Sequence, residues 1–412
     1  MRNLPRLIDR SNAQYSARFS RDLLDRMMFV GDPVADAAVA ALHERSYDRR
    51  AAKLEAVRAL AAEGEPAARL FVEETTAQPT WLDEKLLARG QKVTLGFVAL
   101  SRLSLLHSLF AGGVFARATL VTRATGRLGA DPSTRIRETG AFIGAIMQPG
   151  GMAPGAIGHE TTLRVRLLHS SIRAWVGQTA GFAASYVGAP IDQTMLAMTL
   201  GLFSYLNLRS FSRLGVRFGD EDLAGHHHLW RYVGHVLGID DALLTTSLAQ
   251  ERDLWSALVA HQAFPDDWGR LLLDESVRTA ARVGGNVREL RSFFRAMFLQ
   301  LSGSEWFGVD EPASFDHRLL ALRVGAGVSG LRRRFVPGMA DSMAQRGLAA
   351  FEHSVQLART HDYGVKIETP EERAKSEAAM LSLGAQVRER FAHLRNEAPP
   401  VPHFDAGAAR RA

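Results

Sequence analysis

The sequence predicts an all-α protein built as a single domain. Apolar residues recur at helical spacing along nearly the whole chain. Sustained alternation of apolar and polar residues, which strands require, is almost absent, and no Asn-Gly hairpin signal appears. No repeat of fixed period and no linker rich in proline, glycine and serine divides the chain. We therefore expect one domain over residues 1–395 and a loose, proline-containing tail over 396–412.

Aspartates predict where three of the helices begin. In Asp32-Pro33 and Asp131-Pro132, the aspartate is a good N-cap and the proline suits the first helical position. Asp192 stands in the same capping position before the apolar run QTMLAMTLGLF. These residues predict three helix starts at well-defined positions in the chain.

Further segments show helical periodicity without such clear starts. Residues 47–74 predict one helix rich in alanine and charged residues, and residues 220–237 predict another. The apolar stretch 86–113 predicts a helix pair or one interrupted helix. A long helix is expected over about 160–187, ending at Gly188-Ala189-Pro190.

Composition and charge exclude several classes of protein. The 412 residues are 46% hydrophobic and 23% charged, which is typical of globular proteins. The net charge of +6 is spread along the chain, apart from a short run at 332–334, so no nucleic-acid partner is expected. The absence of cysteine excludes disulfides, thiolate nucleophiles and iron–sulfur clusters.

The sequence also predicts a cytoplasmic protein without a transmembrane segment. The N-terminus lacks the apolar stretch of a signal peptide, and secretion is the alternative. The longest apolar runs, 103–116 and 174–191, are interrupted by His107 and Gln178, and both fall short of a confident span of roughly 20 apolar residues. They are predicted to be buried helices.

His169 is the strongest candidate for a cofactor ligand and lies in the segment HETTLRVRLLHSSIRAWV (159–176). On a helix, Arg166 and Arg173 flank His169 on one side, and apolar residues lie beside them. This pattern suits haem, which needs an axial nitrogen, an apolar wall and cations for its propionates. The alternative is a histidine satisfied by its protein neighbours, without a ligand.

A second candidate face lies on the predicted helix that follows Asp131. Arg135, Glu138 and Thr139 are three and four positions apart, so they share one side of that helix, which Phe142 continues with apolar surface. A cation, an acid and a hydroxyl beside an apolar floor suit a dioxygen-binding pocket. The alternative is a solvated first turn in which Arg135 and Glu138 form a surface ion pair.

Two further motifs do not support a site. The glycine-rich stretch 150–158 lacks the Gly-Lys-Ser/Thr ending of a phosphate loop, and no strand precedes it. The three consecutive histidines at 226–228 would point in different directions on a helix, so one metal ion could not bind all of them. For these histidines we expect surface or capping roles.

Six short segments, taken in order, resemble the latex-clearing protein (rubber oxygenase) family, which includes the oxygenase of mycophenolic acid biosynthesis. Arg135 and Arg166 are 31 positions apart, and Thr139 and His169 are 30 apart, which is similar to the spacing of the family's Arg, Thr, Arg and His set. The segments are FVGDPVADA (29–37), QPTWLDE (78–84), TGRLGADPSTRIRETG (125–140), PGGMAPGAIG (149–158), RVRLLHSSIR (164–173) and HHHLWRYVGHVLGI (226–239).

The resemblance implies a globin-like helical core, with additional N- and C-terminal helices, that holds one haem b. In this interpretation His169 is the proximal iron ligand, and Arg166 and Arg173 contact the propionates. Arg135 and Thr139 line the distal side. The family often has a lysine just before this threonine, whereas this chain has Glu138.

Glu138 is therefore predicted to act as a base, or to orient bound oxygen together with Thr139. The alternative is a first-turn acid that interacts with the helix N-terminus and pairs with Arg135 or Arg137 in solvent.

For function, the resemblance implies a haem b-dependent oxygenase that uses dioxygen to cleave carbon–carbon double bonds in polyisoprene. Two alternatives stay open: an oxygenase acting on a small isoprenoid or lipid, and a haem-binding sensor without turnover. The expected partners are dioxygen and a hydrophobic alkene. The sequence does not determine the oligomeric state.

Overall fold

All regular structure in the described part of the chain is helical. The only strand-like pairing there is an isolated bridge between Phe115 and Ala263, so the all-α prediction is confirmed. The predicted domain end at 395 and the tail 396–412 lie outside the described residues. A computed structural model describes residues 8–45, 53–124, 132–176, 187–263, 287–310, 315–360 and 384–394, and a few positions between 270 and 281.

The helices that position the candidate site are numbered in chain order. The described elements include no strand, and a single π-helical turn spans Leu202–Leu206. The helices are α1 (Arg21–Met27), α2 (Pro33–Glu44), α3 (Lys53–Ala62), α4 (Pro66–Thr76), α5 (Glu84–Leu95), α6 (Val98–Ala111), α7 (Ala116–Ala124), α8 (Pro132–Ile146), α9 (Ile157–Val176), α10 (Gln193–Gly201), α11 (Asn207–Arg213), α12 (Asp220–Val236), α13 (Leu248–Gln262), α14 (Val287–Ser302), α15 (His317–Phe335) and α16 (Met339–Thr360).

Two of the three predicted helix starts are confirmed by their capping contacts. The Asp32 side chain accepts a hydrogen bond from the backbone N–H of Ala35 at 3.1 Å, and a proline opens α2. The Asp192 side chain accepts from the backbone of Thr194 at 2.9 Å and caps α10. Helix α8 begins at Pro132 as predicted, and Asp131 lies outside the described residues.

The prediction of one helix over 47–74 is wrong, because two helices, α3 and α4, occupy its described part. Gly64 has a φ of +94°, a left-handed conformation that ends a helix and that glycine adopts without strain. Pro66, two residues later, starts α4 at a position where its missing N–H costs nothing.

The apolar stretch 86–113 forms a helix pair, which is one of the two arrangements that the sequence predicts for it. Helices α5 and α6 meet at 89° across a break of two residues. In the described ranges no single helix is long and apolar enough to cross a membrane. This bent pair, taken together, would be long and apolar enough by length and composition alone. Both helices have residues that are buried inside the protein.

Helix α9 lies at the seam between two apolar clusters. Leu163 and Leu167 belong to one cluster, Leu168 and Ile172 to the other, and Val165 packs against both. Full burial of such a side chain stabilises the fold by about 1.5–3 kcal/mol. Helices α2, α3, α8 and α12 all pack on α9, which holds its central residues at a fixed place in the core.

Candidate active site

His169 occupies the middle of α9, between the two apolar clusters. The helix begins at Ile157, three residues before the predicted start, and is described to Val176. The imidazole is half-buried. Val165 and Ile172, one turn before and one turn after it, belong to the apolar packing on the same side of the helix. The structure thus places the predicted ligand in an apolar setting, as expected from its spacing.

Arg166 is buried beside His169 and is held by two carboxylates. Its Nε donates to Oδ2 of Asp32 at 2.6 Å, and its Nη2 donates to Oδ1 of the same residue at 2.9 Å. Nη2 also lies 2.7 Å from Oε1 of Glu74. Burial disfavours the guanidinium charge, but these two acids outweigh burial and raise the pKa of Arg166 above its ordinary value.

Arg173, two turns further along α9, is held in the same way by the next acid of α2. Its Nε donates to Asp36 at 3.0 Å and its Nη2 donates to the same carboxylate at 2.8 Å. Its Nη1 donates to the backbone oxygen of Ile191 at 2.7 Å, and the Ser170 hydroxyl donates to Asp36 at 2.6 Å. Both arginines are thereby oriented toward α2.

Two glycines make room for these ion pairs. A Cβ added to Gly31 would lie 2.7 Å from Oδ2 of Asp36 and 3.0 Å from Cδ of Arg173. Gly238 has a φ of +78°, and its added Cβ would lie 2.5 Å from Nε of Arg166. Both glycines belong to segments that carry the sequence resemblance, so part of that resemblance reflects the packing of buried charges.

We call Asp32, Asp36, Glu74, Arg166 and Arg173 the ion-pair network. Its three carboxylates pair with the two guanidiniums within the protein, and the pairs of Asp32 and Asp36 fasten α9 to α2. The predicted contact of both arginines with haem propionates therefore has to form next to carboxylates that already bind them. That contact stays a prediction, whereas the fastening of α9 is visible in the structure.

Helix α8, which carries the predicted distal residues, packs directly on α9. Glu138 and Thr139 are half-buried, and the Phe142 ring one turn later is buried and lies 6.4 Å from the Phe203 ring. Arg135 is on the same helix, and its side chain lies outside the described residues. The structure brings the two predicted helices together, while the roles of these three residues stay predictions.

The side chains around His169 would suit a haem. Among the described residues no group of three or more histidine, aspartate or glutamate side chains could hold a metal ion. A haem would need only one imidazole from this part of the protein, because the porphyrin itself supplies the other nitrogen ligands of the iron. His169 offers that single nitrogen, and the apolar packing around it suits the ring.

The three histidines of α12 are buried, so the prediction of surface positions is wrong. Helices α5 and α12 approach closely at Gly90 and Gly225, where an added Cβ on Gly90 would lie 2.3 Å from the other glycine's oxygen. Burial lowers the pKa of His226 to about 4 and that of His227 to about 3. The ring contacts are His226 with Ser204 O at 3.2 Å, His227 with Thr245 Oγ1 at 2.9 Å and His228 with the backbone N–H of Asp83 at 2.9 Å.

The contact between His228 and Asp83 agrees with the predicted capping role, because Asp83 is the N-cap residue of α5. The histidines meet three separate partners, which agrees with the expectation that one ion could not bind them all.

Sequence reasoning missed a buried carboxyl group on α13. Glu251 faces the π-helical turn, and burial raises its pKa to about 7, although Ser204 and the backbone of Tyr205 favour the charged form. It borders a cavity of about 20 Å³, room for one water molecule, together with His227 and Thr245. The sequence carries no signal of this, since Glu251 stands in a charged first turn that resembles an exposed helix start.

Comparison with known proteins supports the sequence resemblance over the part of the chain that contains α8 and α9. Residues 88–321 match the family model "ER-bound oxygenase mpaB/B'/Rubber oxygenase, catalytic domain". A rubber oxygenase of Streptomyces sp. (strain K30) is 24% identical over 201 residues. That alignment covers 47% of this chain and 49% of the relative, so it spans about half the length of that protein.

The fold also has a solved counterpart. The structure of latex clearing protein LCP in the closed state superposes with a TM-score of 0.58 and 20% identity. The superposition covers 83% of this chain and 93% of the other. At this identity the similarity establishes the shared fold alone.

Proposed function

Because the chain belongs to the ER-bound oxygenase mpaB/B'/rubber oxygenase family, we propose that it is a haem b-dependent oxygenase that cleaves carbon–carbon double bonds of an apolar isoprenoid. Polyisoprene is the first candidate substrate and dioxygen the co-substrate. The observation that supports the proposal is that two helices of the matched region pack on each other: α8, which bears Glu138 and Thr139, and α9, which bears the half-buried His169.

In this proposal His169 would hold the haem iron, and the bound haem would supply the activation of dioxygen. The protein contributes position and surroundings. Phe142 and Val165 offer apolar surface that excludes water and accepts the alkene. Thr139 offers a hydroxyl donor next to that surface. Arg166 and Arg173 are proposed to reach the propionates from their places in the ion-pair network.

Absorption spectroscopy and oxygen uptake test the function directly. The purified protein should show a Soret band, consume oxygen with dispersed cis-polyisoprene, and form products with carbonyl ends. The same assay with squalene separates a polymer substrate from a small isoprenoid. A haem protein that consumes no oxygen with any alkene would favour the sensor alternative, and a protein without a Soret band would refute the haem proposal.

The cytoplasmic location stays a proposal that fractionation of native cells would test.

Glu138→Gln should lower alkene turnover by about a hundredfold, which is the usual contribution of a positioned base. The proposed reason is that the carboxylate accepts a proton from the carbon next to the double bond. Glutamine keeps the shape and hydrogen bonding of the side chain but cannot accept that proton. Haem content should stay normal in the absorption spectrum, and Glu73→Gln on the exposed side of α4 is the matched control. Unchanged turnover at full haem occupancy would remove Glu138 from the mechanism.

A further inference from the structure

Half of the large apolar side chains that are exposed in the described part of the chain lie on one helix, α15, far in sequence from the candidate active site. Seven of the ten large apolar side chains that are exposed in the described part of the chain lie between residues 315 and 336. Most belong to α15. Soluble proteins rarely leave apolar side chains concentrated in this way unless the surface binds something. We call five of them the apolar stripe: Leu320, Val324, Val328, Leu331 and Phe335.

The stripe follows the period of the helix and faces away from the core. Its members are spaced by four, four, three and four positions, which places them on one side of α15. Leu319 and Ala326, on the opposite side, are buried at 1% and 4% exposure. Helix α15 is therefore apolar on both sides, whereas a helix that only packs on a core needs a single apolar side.

The charge of α15 identifies the partner's chemistry. The helix carries five arginines and no acidic residue. By helical spacing, Arg323 and Arg334 flank the stripe on one side and Arg332 flanks it on the other. Arg333 lies on the opposite side of the helix and donates to Asp222 at 2.5 Å. The stripe is thus bordered by cations that suit an anionic surface.

A cleft at the beginning of α15 adds one more cation, Arg213, beside Arg323. It has a volume of about 400 Å³ and is lined by Arg213 and Arg323, together with Leu320 of the stripe. Burial lowers the pKa of Arg213, and the nearby charge of Arg323 lowers it further. The one acid in the lining is Asp316, which is bound by Arg318 at 2.7 Å. Two guanidiniums that share an opening in this way favour an anionic group such as a phosphate.

We propose that the apolar stripe and this cleft bind the surface of a membrane that contains anionic phospholipids. Helix α15 would lie in the plane of the interface, with the stripe among the upper acyl chains and the arginines at the level of the phosphates. A second copy of the chain fits less well, because a two-fold pairing would bring these arginine-bearing surfaces together without acidic partners. The proposal is independent of the oxygenase activity.

Flotation of the purified full-length protein with vesicles tests this directly. The wild-type protein should bind vesicles of phosphatidylcholine with added phosphatidylserine, bind phosphatidylcholine alone weakly, and detach as salt rises. The double substitution Leu331→Ser/Phe335→Ser should weaken binding by more than about tenfold, because it removes most of the apolar insertion. Arg323→Gln and Arg332→Gln should each weaken it by about fivefold.

Two substitutions on α4 provide matched controls. Leu70 is 52% exposed and Arg69 stands next to it, so Leu70→Ser and Arg69→Gln change the same chemistry at another surface. Neither should alter vesicle binding. Because all the substituted side chains are exposed, thermal unfolding should show that the variants fold as the wild type does.

Three results would overturn the proposal. One is vesicle binding of the stripe variants equal to that of the wild type. Another is a wild-type dimer in analytical ultracentrifugation that the Leu331→Ser/Phe335→Ser variant dissociates, which would identify a second copy as the occupant. The third is release from vesicles by inorganic phosphate beyond that caused by a chloride salt of equal ionic strength, which would identify a soluble anion as the ligand of the cleft.

Discussion

His169→Ala should yield a folded protein that has lost its haem. In the proposed site this imidazole would hold the haem iron, and alanine has no nitrogen that could replace it. Removal of groups that only orient a metal ligand already weakens metal binding by about 10–100-fold, so loss of the ligand itself should exceed about a hundredfold. The ratio of Soret to protein absorbance in the purified variant measures the effect.

His393→Ala is the control, because this histidine pairs with Asp25 at 3.2 Å on another part of the surface. It should keep full haem content. Addition of free imidazole to the His169→Ala variant should restore part of the haem band if the space left by the side chain admits a ligand. Stoichiometric haem with an unchanged spectrum in His169→Ala would show that the iron ligand lies elsewhere.

Asp32→Ala should destabilise the protein by about 3–5 kcal/mol, the usual cost of leaving one member of a buried ion pair without its partner. The substitution removes both hydrogen bonds at 2.6 and 2.9 Å from the buried Arg166. It also removes the N-cap of α2, which adds about 1 kcal/mol. Denaturant unfolding of the variant, followed by circular dichroism, measures the loss.

Glu74→Ala is the matched control, since Glu74 contacts the same guanidinium at 2.7 Å but is 40% exposed. Its removal should cost less than about 1 kcal/mol. The double variant Asp32→Ala/Arg166→Met should regain part of the stability, because it leaves no buried charge without a partner. An Asp32→Ala variant no less stable than Glu74→Ala would refute the fastening role of the ion-pair network.

The double variant also separates the two roles considered for Arg166. If the arginine only fastens α9, haem content should recover together with stability. If the arginine contacts a propionate, haem affinity should stay low in the refolded double variant, because the charge-assisted bond is gone. Haem content of the double variant therefore distinguishes a structural role of Arg166 from a role in haem binding.

Local sequence determined the helical elements and the placement of the candidate ligand on one of them. Asp32 with Pro33, and Asp192, start helices through contacts with residues two or three positions away, and such contacts are encoded by neighbours in the chain. The apolar period of α9 likewise placed His169 between hydrophobic neighbours. The helix predicted over 47–74 is divided because Gly64 ends α3 and Pro66 begins α4, and these two residues override the apolar period.

Tertiary structure decided which groups meet. Arg166 and Arg173 have carboxylate partners 134 and 137 positions away, so no local spacing could distinguish a bond to α2 from a bond to a cofactor. The burial of Glu251 likewise depends on a π-helical turn that belongs to another segment. A charged side chain looks the same in sequence whether it faces water or the core, because its surroundings are set by how distant helices pack.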